Sequence, residues 1–241
     1  MNKSNIKIQW FPPSWVGIRT EKKIIYIDPA YLRTNFSHYR KRIEFTKWPD
    51  PIDGLPEELE KADVILVTHH HKDHCKHVTV KRLCMQTTQI IAPRSCIKEL
   101  GESITVIKAG TEIVLDKIKV KAVEAYNLPQ GTSAKIMHKK GNGVGYLINI
   151  GDEVIYHAGD TDHIPEMQNI GRVDVALLPI GGRGFTMDID GAVKAIEIIN
   201  PKIVIPMHQF ESDAKELKTK TESRTTSKVV SLEVGGIYEL K

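Results

Sequence analysis

The sequence lacks several features that would settle its class at once, and each absence excludes something. No apolar run comes near the roughly 20 residues that a helix needs to cross a bilayer, so no membrane partner is expected. The opening segment "MNKSNIKIQWFPPSW" has no apolar h-region, which argues against a signal peptide and for a cytoplasmic location. Cysteine is scarce. Cys75, Cys84 and Cys96 are an odd number without paired spacing, which suits reduced thiols and not a disulfide framework. A strong charge of one sign is missing too: a net charge of +4 over 241 residues is mildly basic. It suits an anionic small-molecule substrate but is too weak to imply nucleic acid. The basic clusters "RTNFSHYRKR" (Arg33 to Arg42) and the tail after Ala214 read as solvated surface. Linkers, low-complexity tracts and short repeats are also missing, so residues 1–241 read as one domain. The sequence leaves a homo-oligomer open.

What is present is a soluble, sheet-rich pattern, with 41% hydrophobic and 27% charged residues. Short β-branched runs recur between turn signals: "KIIYI", "DVILV", "TQIIA", "SITVI", "EIVL", "KIKVKAV", "GYLINI", "EVIYHA", "VDVALLP" and "KIVIPM". These read as strands, many of them buried. Helical periodicity is confined to a few places. "PEELEKA" (Pro56–Ala62) places proline at a helix start, "VTVKRLCMQ" is a second candidate, and "DIDGAVKAIEIIN" (Asp188–Asn200) is amphipathic and stops before Pro201. Strands mixed with a few helices predict a layered α/β architecture. Residues 31–54 have little apolar periodicity and read as a long surface excursion of the kind that forms lids.

The stretch "DVILVTHHHKDHCKH" (Asp63 to His77) holds five of the 10 histidines. Within it His69, His71, Asp73 and His74 form H-x-H-x-D-H directly after a predicted strand. If the chain is still extended, His69 and His71 point to one side. A turn into a helix then brings Asp73 and His74 toward the same space. Imidazole and carboxylate donors suit zinc and similar divalent metals. His70 points the other way, His77 reads as surface, and Cys75 reads as a small packed hydrophobe.

H-x-H-x-D-H after a hydrophobic strand resembles the signature of the metallo-β-lactamase superfamily. Further along, "YHAGDTD" resembles the motif that supplies a metal-bridging aspartate, here Asp160. "KIVIPMH" resembles the strand end that carries the last histidine ligand, here His208. "YIDPA" resembles the strand and Asp-Pro turn beneath the site. "VALLPIGGRGFTMD" resembles a cytosolic branch that includes ascorbate-6-phosphate lactonase-like proteins. The resemblance implies a four-layer αββα sandwich and a hydrolase holding two divalent metal ions, zinc first, with Mn2+ or Fe2+ as alternatives. It implies His69 and His71 on one metal, Asp73, His74 and His208 on the other, and Asp160 between them. A hydroxide formed from water held by the metals would be the nucleophile, with Asp73 orienting it or taking its proton.

The chain departs from the family pattern after "KVKAVEAYN", where a histidine is usual and Asn127 stands. Asparagine ligates zinc poorly, so His138, in "KIMHKKGNGVGY", becomes the candidate for that position. Relatives also show a Gly-His pair where this chain has Gly17-Ile18. His157 reads as a supporting residue on its strand, and His163 as surface or pocket. Glycines in "GGRGFTM" permit close approach to a ligand, and Arg183 there could pair with an anionic group. The substrate expected is a small ester, lactone or phosphodiester. Alternatives are a small phosphodiesterase or nuclease on the same scaffold, or a non-catalytic binding protein stabilised by metal. Flavin-linked di-iron relatives carry glutamate where this chain has His71.

Overall fold

A computed structural model of the chain describes residues 5–30, 59–129 and 136–240. The β-branched runs form strands, and these assemble into two seven-stranded mixed sheets. The chain divides into two compact units, Met1–Val106 with Leu232–Lys241, and Ile107–Ser231.

In the first unit the strands are β1 (Ile6–Phe11), β2 (Trp15–Arg19), β3 (Ile24–Ile27), β4 (Ala62–Leu66), β5 (Cys84–Pro93), β6 (Thr105–Ile107) and the late strand β14 (Ile237–Leu240). They lie in the order β14-β1-β2-β3-β4-β5-β6. β1, β2 and β3 run antiparallel, whereas β3, β4 and β5 pair in parallel. Parallel neighbours need a crossover, and helix α1 (His77–Leu83) lies in the one between β4 and β5. Pleating sends Tyr26, Ile65 and Val67 to one face, where they join Val80 and Leu83 of α1 and Leu100 of α2 (Ile97–Leu100) in a buried cluster. Fully burying side chains such as Val80 and Leu83 stabilises by about 1.5–3 kcal/mol each. The alternate residues Ile25, Ile27, Val64 and Leu66 are buried as well, as expected of parallel strands covered on both faces.

The second unit contains β7 (Glu112–Leu115), β8 (Ile118–Glu124), β9 (Val144–Ile150), β10 (Glu153–His157), β11 (Val175–Pro179), β12 (Ile203–Met207) and β13 (Lys228–Val229). Their order is β13-β12-β11-β10-β9-β8-β7. The first four are antiparallel neighbours, and β10 through β13 are parallel. Helix α3 (Ile189–Ile199) makes the crossover from β11 to β12. Asp188 caps it by accepting from the Gly191 amide, and Asn200, in the left-handed region at φ 49°, ends it before Pro201. Helix α4 (Ala214–Glu222) packs on α3 and β13.

The α/β class with two mixed sheets agrees with the expectation from sequence. Three local readings need correction. "PEELEKA" is not helical at residues 59–61, and residues 56–58 lie outside the described residues, as do the 31–54 excursion and the cluster at 33–42. The helix in "VTVKRLCMQ" stops at Leu83, because Cys84 already pairs with Ala62 of β4 and the chain continues as β5. The tail after Ala214 is not simply solvated surface. It forms α4, capped by Asp213 and burying Ala214, Leu217 and Thr221.

Gly145 in β9 shows how closely the strands approach beside β10. A Cβ there would lie 2.9 Å from the Ala158 carbonyl oxygen and 3.0 Å from that of His157. Gly145→Ala should destabilise the protein by about 1–3 kcal/mol, the usual cost of overpacking, as read by chemical denaturation. An unchanged midpoint would contradict this close approach.

Candidate metal centre

In the first unit the donors stand just beyond the ends of two parallel strands. β3 ends at Ile27, and Asp28 turns the chain sharply in the left-handed region, at φ 50°. Its amide still donates to the Leu66 carbonyl at 2.9 Å. The Asp28 carboxylate is fully buried and accepts from the Thr68 amide (2.7 Å) and the Thr68 hydroxyl (2.6 Å). His74 Nδ1 lies 2.8 Å from the same carboxylate. A carboxylate only accepts, so Nδ1 carries the hydrogen and Nε2 carries the lone pair. Because the Thr68 hydroxyl gives its proton to Asp28, it can accept from His69 Nδ1, which lies 3.0 Å away. One buried carboxylate thereby sets the tautomer of two histidines, the arrangement that orients imidazoles toward metals.

His69 Nε2 comes within 3.1 Å of His71 Nδ1. The reason differs from the one the sequence suggested. β4 ends at Leu66, and residues 69–75 form a tight turn in which the His74 and Cys75 amides both donate to the His71 carbonyl. The turn, and neither strand alternation nor a helix, brings the donors together; α1 begins only at His77. Asp73 Oδ2 is 3.9 Å from His74 Nε2, and Asp73 keeps 27% of its side chain exposed.

In the second unit Asp160 follows β10 after Gly159, which is left-handed at φ 65°. His208 follows β12 and is itself left-handed at φ 47°. Strained residues of this kind cluster at functional sites. Gly181 allows the turn: a Cβ there would lie 2.3 Å from the His208 carbonyl oxygen and 2.4 Å from the Phe210 ring. The Nε2 atoms of His138 and His208 lie 3.4 and 3.3 Å from the same oxygen, Oδ2 of Asp160, and all three residues are buried.

Asn127 supports His138 and does not take its place. Its side-chain oxygen accepts from the amides of Met137 (3.1 Å) and His138 (2.9 Å) and lies 3.0 Å from His138 Nδ1. The Phe185 carbonyl is also 3.0 Å from Nδ1. Both partners are acceptors, so Nδ1 carries the hydrogen and Nε2 faces Asp160. Thr161 and Asp162 pin this segment from below. The Thr161 hydroxyl bonds the Tyr126 backbone, and the Asp162 carboxylate accepts from the Leu128 amide at 2.8 Å.

The remaining sequence candidates separate. His70 and His77 are exposed, and Cys75 is buried in the apolar cluster. The neighbouring Cys96 thiol, together with burial, pushes the Cys75 thiol pKa upward. His157 is buried on β10 and its Nδ1 accepts from the Gly159 amide, so it supports the turn before Asp160. Burial and, secondarily, Lys194 hold His163 below its ordinary pKa. Arg183 is ion-paired with Glu211 and rests over the Phe210 ring. Sequence reasoning missed the roles of Asp28, Thr68 and Asn127. The only signals were an Asp-Pro after one strand, a threonine before the histidines, and an asparagine at a strand end.

The donor chemistry fits a metal. The lone pair of His138 Nε2 faces the Asp160 carboxylate oxygen at 3.4 Å, and two acceptors repel unless a cation lies between them; His69 Nε2 and His71 Nδ1 are 3.1 Å apart, and His208 Nε2 is 3.3 Å from Asp160. Bonds of about 2.0–2.1 Å in a tetrahedron place ligand atoms roughly 3.3 Å apart.

Comparison with known proteins agrees. Residues 7–208 match the beta-lactamase superfamily domain. A UPF0173 metal-dependent hydrolase of Thermoplasma acidophilum is 42% identical over 210 residues, covering 85% of this chain and 83% of its own. One from Methanosarcina mazei is 31% identical over 248 residues, covering 98% and 100%. Among solved structures, the metallo hydrolase Igni18 of Ignicoccus hospitalis aligns with a TM-score of 0.72 at 26% identity, covering 98% of this chain and 99% of its own. A candidate metal-dependent hydrolase of Parabacteroides distasonis aligns with a TM-score of 0.79 at 28% identity, covering 95% and 93%. The two mixed sheets, the His and Asp groups at their strand ends and these relatives converge: the chain is a metal-dependent hydrolase and belongs to the UPF0173 family of the metallo-β-lactamase superfamily.

Proposed function

We propose that the donors of both units act together as one dinuclear centre, with zinc as the resident metal and manganese or iron(II) as alternatives. His69, His71 and His138 would hold one ion, Asp73, His74 and His208 the other, and Asp160 would bridge them. The observation that carries this reading is the commitment of Nδ1 in His69, His74 and His138 to protein acceptors, which turns each Nε2 outward as a ligand. The match over residues 7–208 crosses both units, which supports treating them as one catalytic domain.

The bound metal supplies Lewis-acid polarisation of a substrate oxygen and makes water acidic enough to attack near neutral pH. The chain's own residues do the rest. Asp73, partly exposed beside His74, orients the attacking water and accepts its proton at the carboxylate. Asp160 places one carboxylate oxygen near Nε2 of both His138 and His208, as the proposed bridging role requires. The reaction proposed is hydrolysis of a small ester, lactone or phosphodiester in the cytoplasm. A non-catalytic, metal-stabilised protein is the competing reading; four ligands saturating a single ion would favour it.

Elemental analysis should find two metal ions per chain, with Asp160→Ala retaining one or none. Chelation should abolish hydrolysis, and zinc or manganese should restore it. Asp73→Ala should lower kcat by about 100-fold or more, the scale of losing a general base; full activity in that variant would overturn the assignment. Asp28→Asn should weaken metal affinity by about 10–100-fold, as loss of an orienting carboxylate does. Equilibrium titration with a chromogenic chelator reads this without any substrate, and unchanged affinity would remove Asp28 from the site.

A further inference from the structure

The second unit also carries information about the substrate. Three loops hold or carry His138 and His208, and each offers large apolar side chains. Ile136 and Met137 immediately precede His138 and are 48% and 40% exposed. Phe185, 39% exposed, lies on the loop whose carbonyl holds both His138 Nδ1 and the Asn127 amide. Phe210 sits two residues past His208, half-buried, with its ring centroid 4.6 Å from that imidazole and 6.1 Å from Phe185.

Exposed apolar residues scattered singly need no explanation. Gathered around functional side chains, they mark a binding surface. These are fixed in place. The Phe185 amide donates to Gly182, the Met187 amide donates to Thr161 beside Asp160, and Gly181 has no side chain because the Phe210 ring fills that space. The cation of the same loop is already matched: the Arg183 guanidinium is paired with Glu211 and lies 5.8 Å above the Phe210 ring. A loop with apolar rings and a neutralised arginine is poorly suited to capturing a second anionic group.

Resting on the reading of His138, Asp160 and His208 as part of a hydrolytic centre, we propose that Met137, Phe185 and Phe210 form a specificity surface for an uncharged apolar group. The substrate class is then a neutral ester or lactone bearing an alkyl or aryl group, in preference to an anionic phosphodiester. Phe185 is the main determinant, because its side chain can change while its carbonyl continues to hold Asn127 and His138.

The test uses the metal-loaded full chain with p-nitrophenyl acetate, butyrate and hexanoate, and with bis-p-nitrophenyl phosphate. Burial of each added methylene should raise kcat/KM by roughly threefold, mostly through KM. The phosphodiester should be the poorest substrate. In Phe185→Ser the hexanoate-to-acetate ratio should fall about tenfold, and Phe185→Leu should restore most of it. A flat response to chain length, preference for the phosphodiester, or an unchanged ratio in Phe185→Ser would each overturn the proposal. Titration calorimetry with acetamide and hexanamide gives a readout that needs no turnover. Hexanamide, longer by four methylenes, should bind wild type roughly 80-fold more tightly than acetamide, and Phe185→Ser should cut that margin about tenfold. Equal binding of the two amides overturns the surface. Absence of hydrolysis with a preserved hexanamide margin overturns only the hydrolytic reading on which it rests.

Discussion

The buried carboxylate of Asp28 is the constraint on which the first unit's donors depend. A lone ionised group in such a place costs several kcal/mol of lost hydration. It is offset here by the Thr68 amide, the Thr68 hydroxyl and the His74 ring. Hydrogen bonds to charged groups contribute about 1.5–3 kcal/mol each, so the two sides are of similar size and the arrangement adds little net stability. Its effect is directional. It joins the ends of β3 and β4 and fixes two tautomers through Nδ1, leaving Nε2 of His69 and His74 for the proposed ligand role. A hydrophobic residue of similar volume at position 28 could fill the space but could not orient His69 and His74.

The second unit reaches the same end with uncharged groups. Asn127 collects two amides and one ring nitrogen on a single oxygen, while its own amide group donates to Phe185. That satisfies a buried polar side chain and ties three loops together. The contrast with Asp28 follows from what lies nearby. Asp160 already places a carboxylate between His138 and His208, and a second anion in contact with His138 would repel it. An amide oxygen orients the ring without adding charge. On the proposed reading, Asn127 is coupled to His138: it supports the imidazole proposed as a ligand and does not itself ligate.

Much of this was legible in the sequence, and the boundary is physical. The strands and α3 follow from β-branched runs and helical periodicity, and the spacing of His69, His71, Asp73 and His74 announces itself because four donors within six residues rarely serve packing. Asp160 and His208 were legible only through resemblance, since one aspartate after a glycine or one histidine after a strand has an ordinary structural explanation. The mechanism of convergence was not legible. Strand alternation would have served for His69 and His71, but β4 ends three residues too early and hydrogen bonds to the His71 carbonyl do the work instead. Asp28 and Asn127 were hidden for another reason: their roles are set by partners 40 and 11 residues away, and no local pattern encodes such a distance. Helix α4 was obscured by its charged residues, which lie on the face its three buried side chains leave to solvent.

Topology explains why the donors stand where they do. Asp28, His69, Asp160 and His208 all follow strands that run parallel to a neighbour, after β3, β4, β10 and β12. At the carboxyl end of a parallel strand the chain must leave the sheet for a crossover, and ligands bind at such ends in open α/β sheets. Leaving abruptly requires an unusual backbone, and left-handed residues supply it at three of these ends: Asp28, Gly159 before Asp160, and His208 itself. At the first and last, the left-handed residue is itself the one whose side chain faces the candidate donors. A glycine would relieve the backbone at position 28 or 208 but would remove the carboxylate or the imidazole. The parallel ladder continues past the strand ends through Asp28 to Leu66, Ala158 to Leu177 and Ile180 to Met207. Those bonds hold the backbone rigid up to the turn, so the strain is localised at the side chains that must point in one direction.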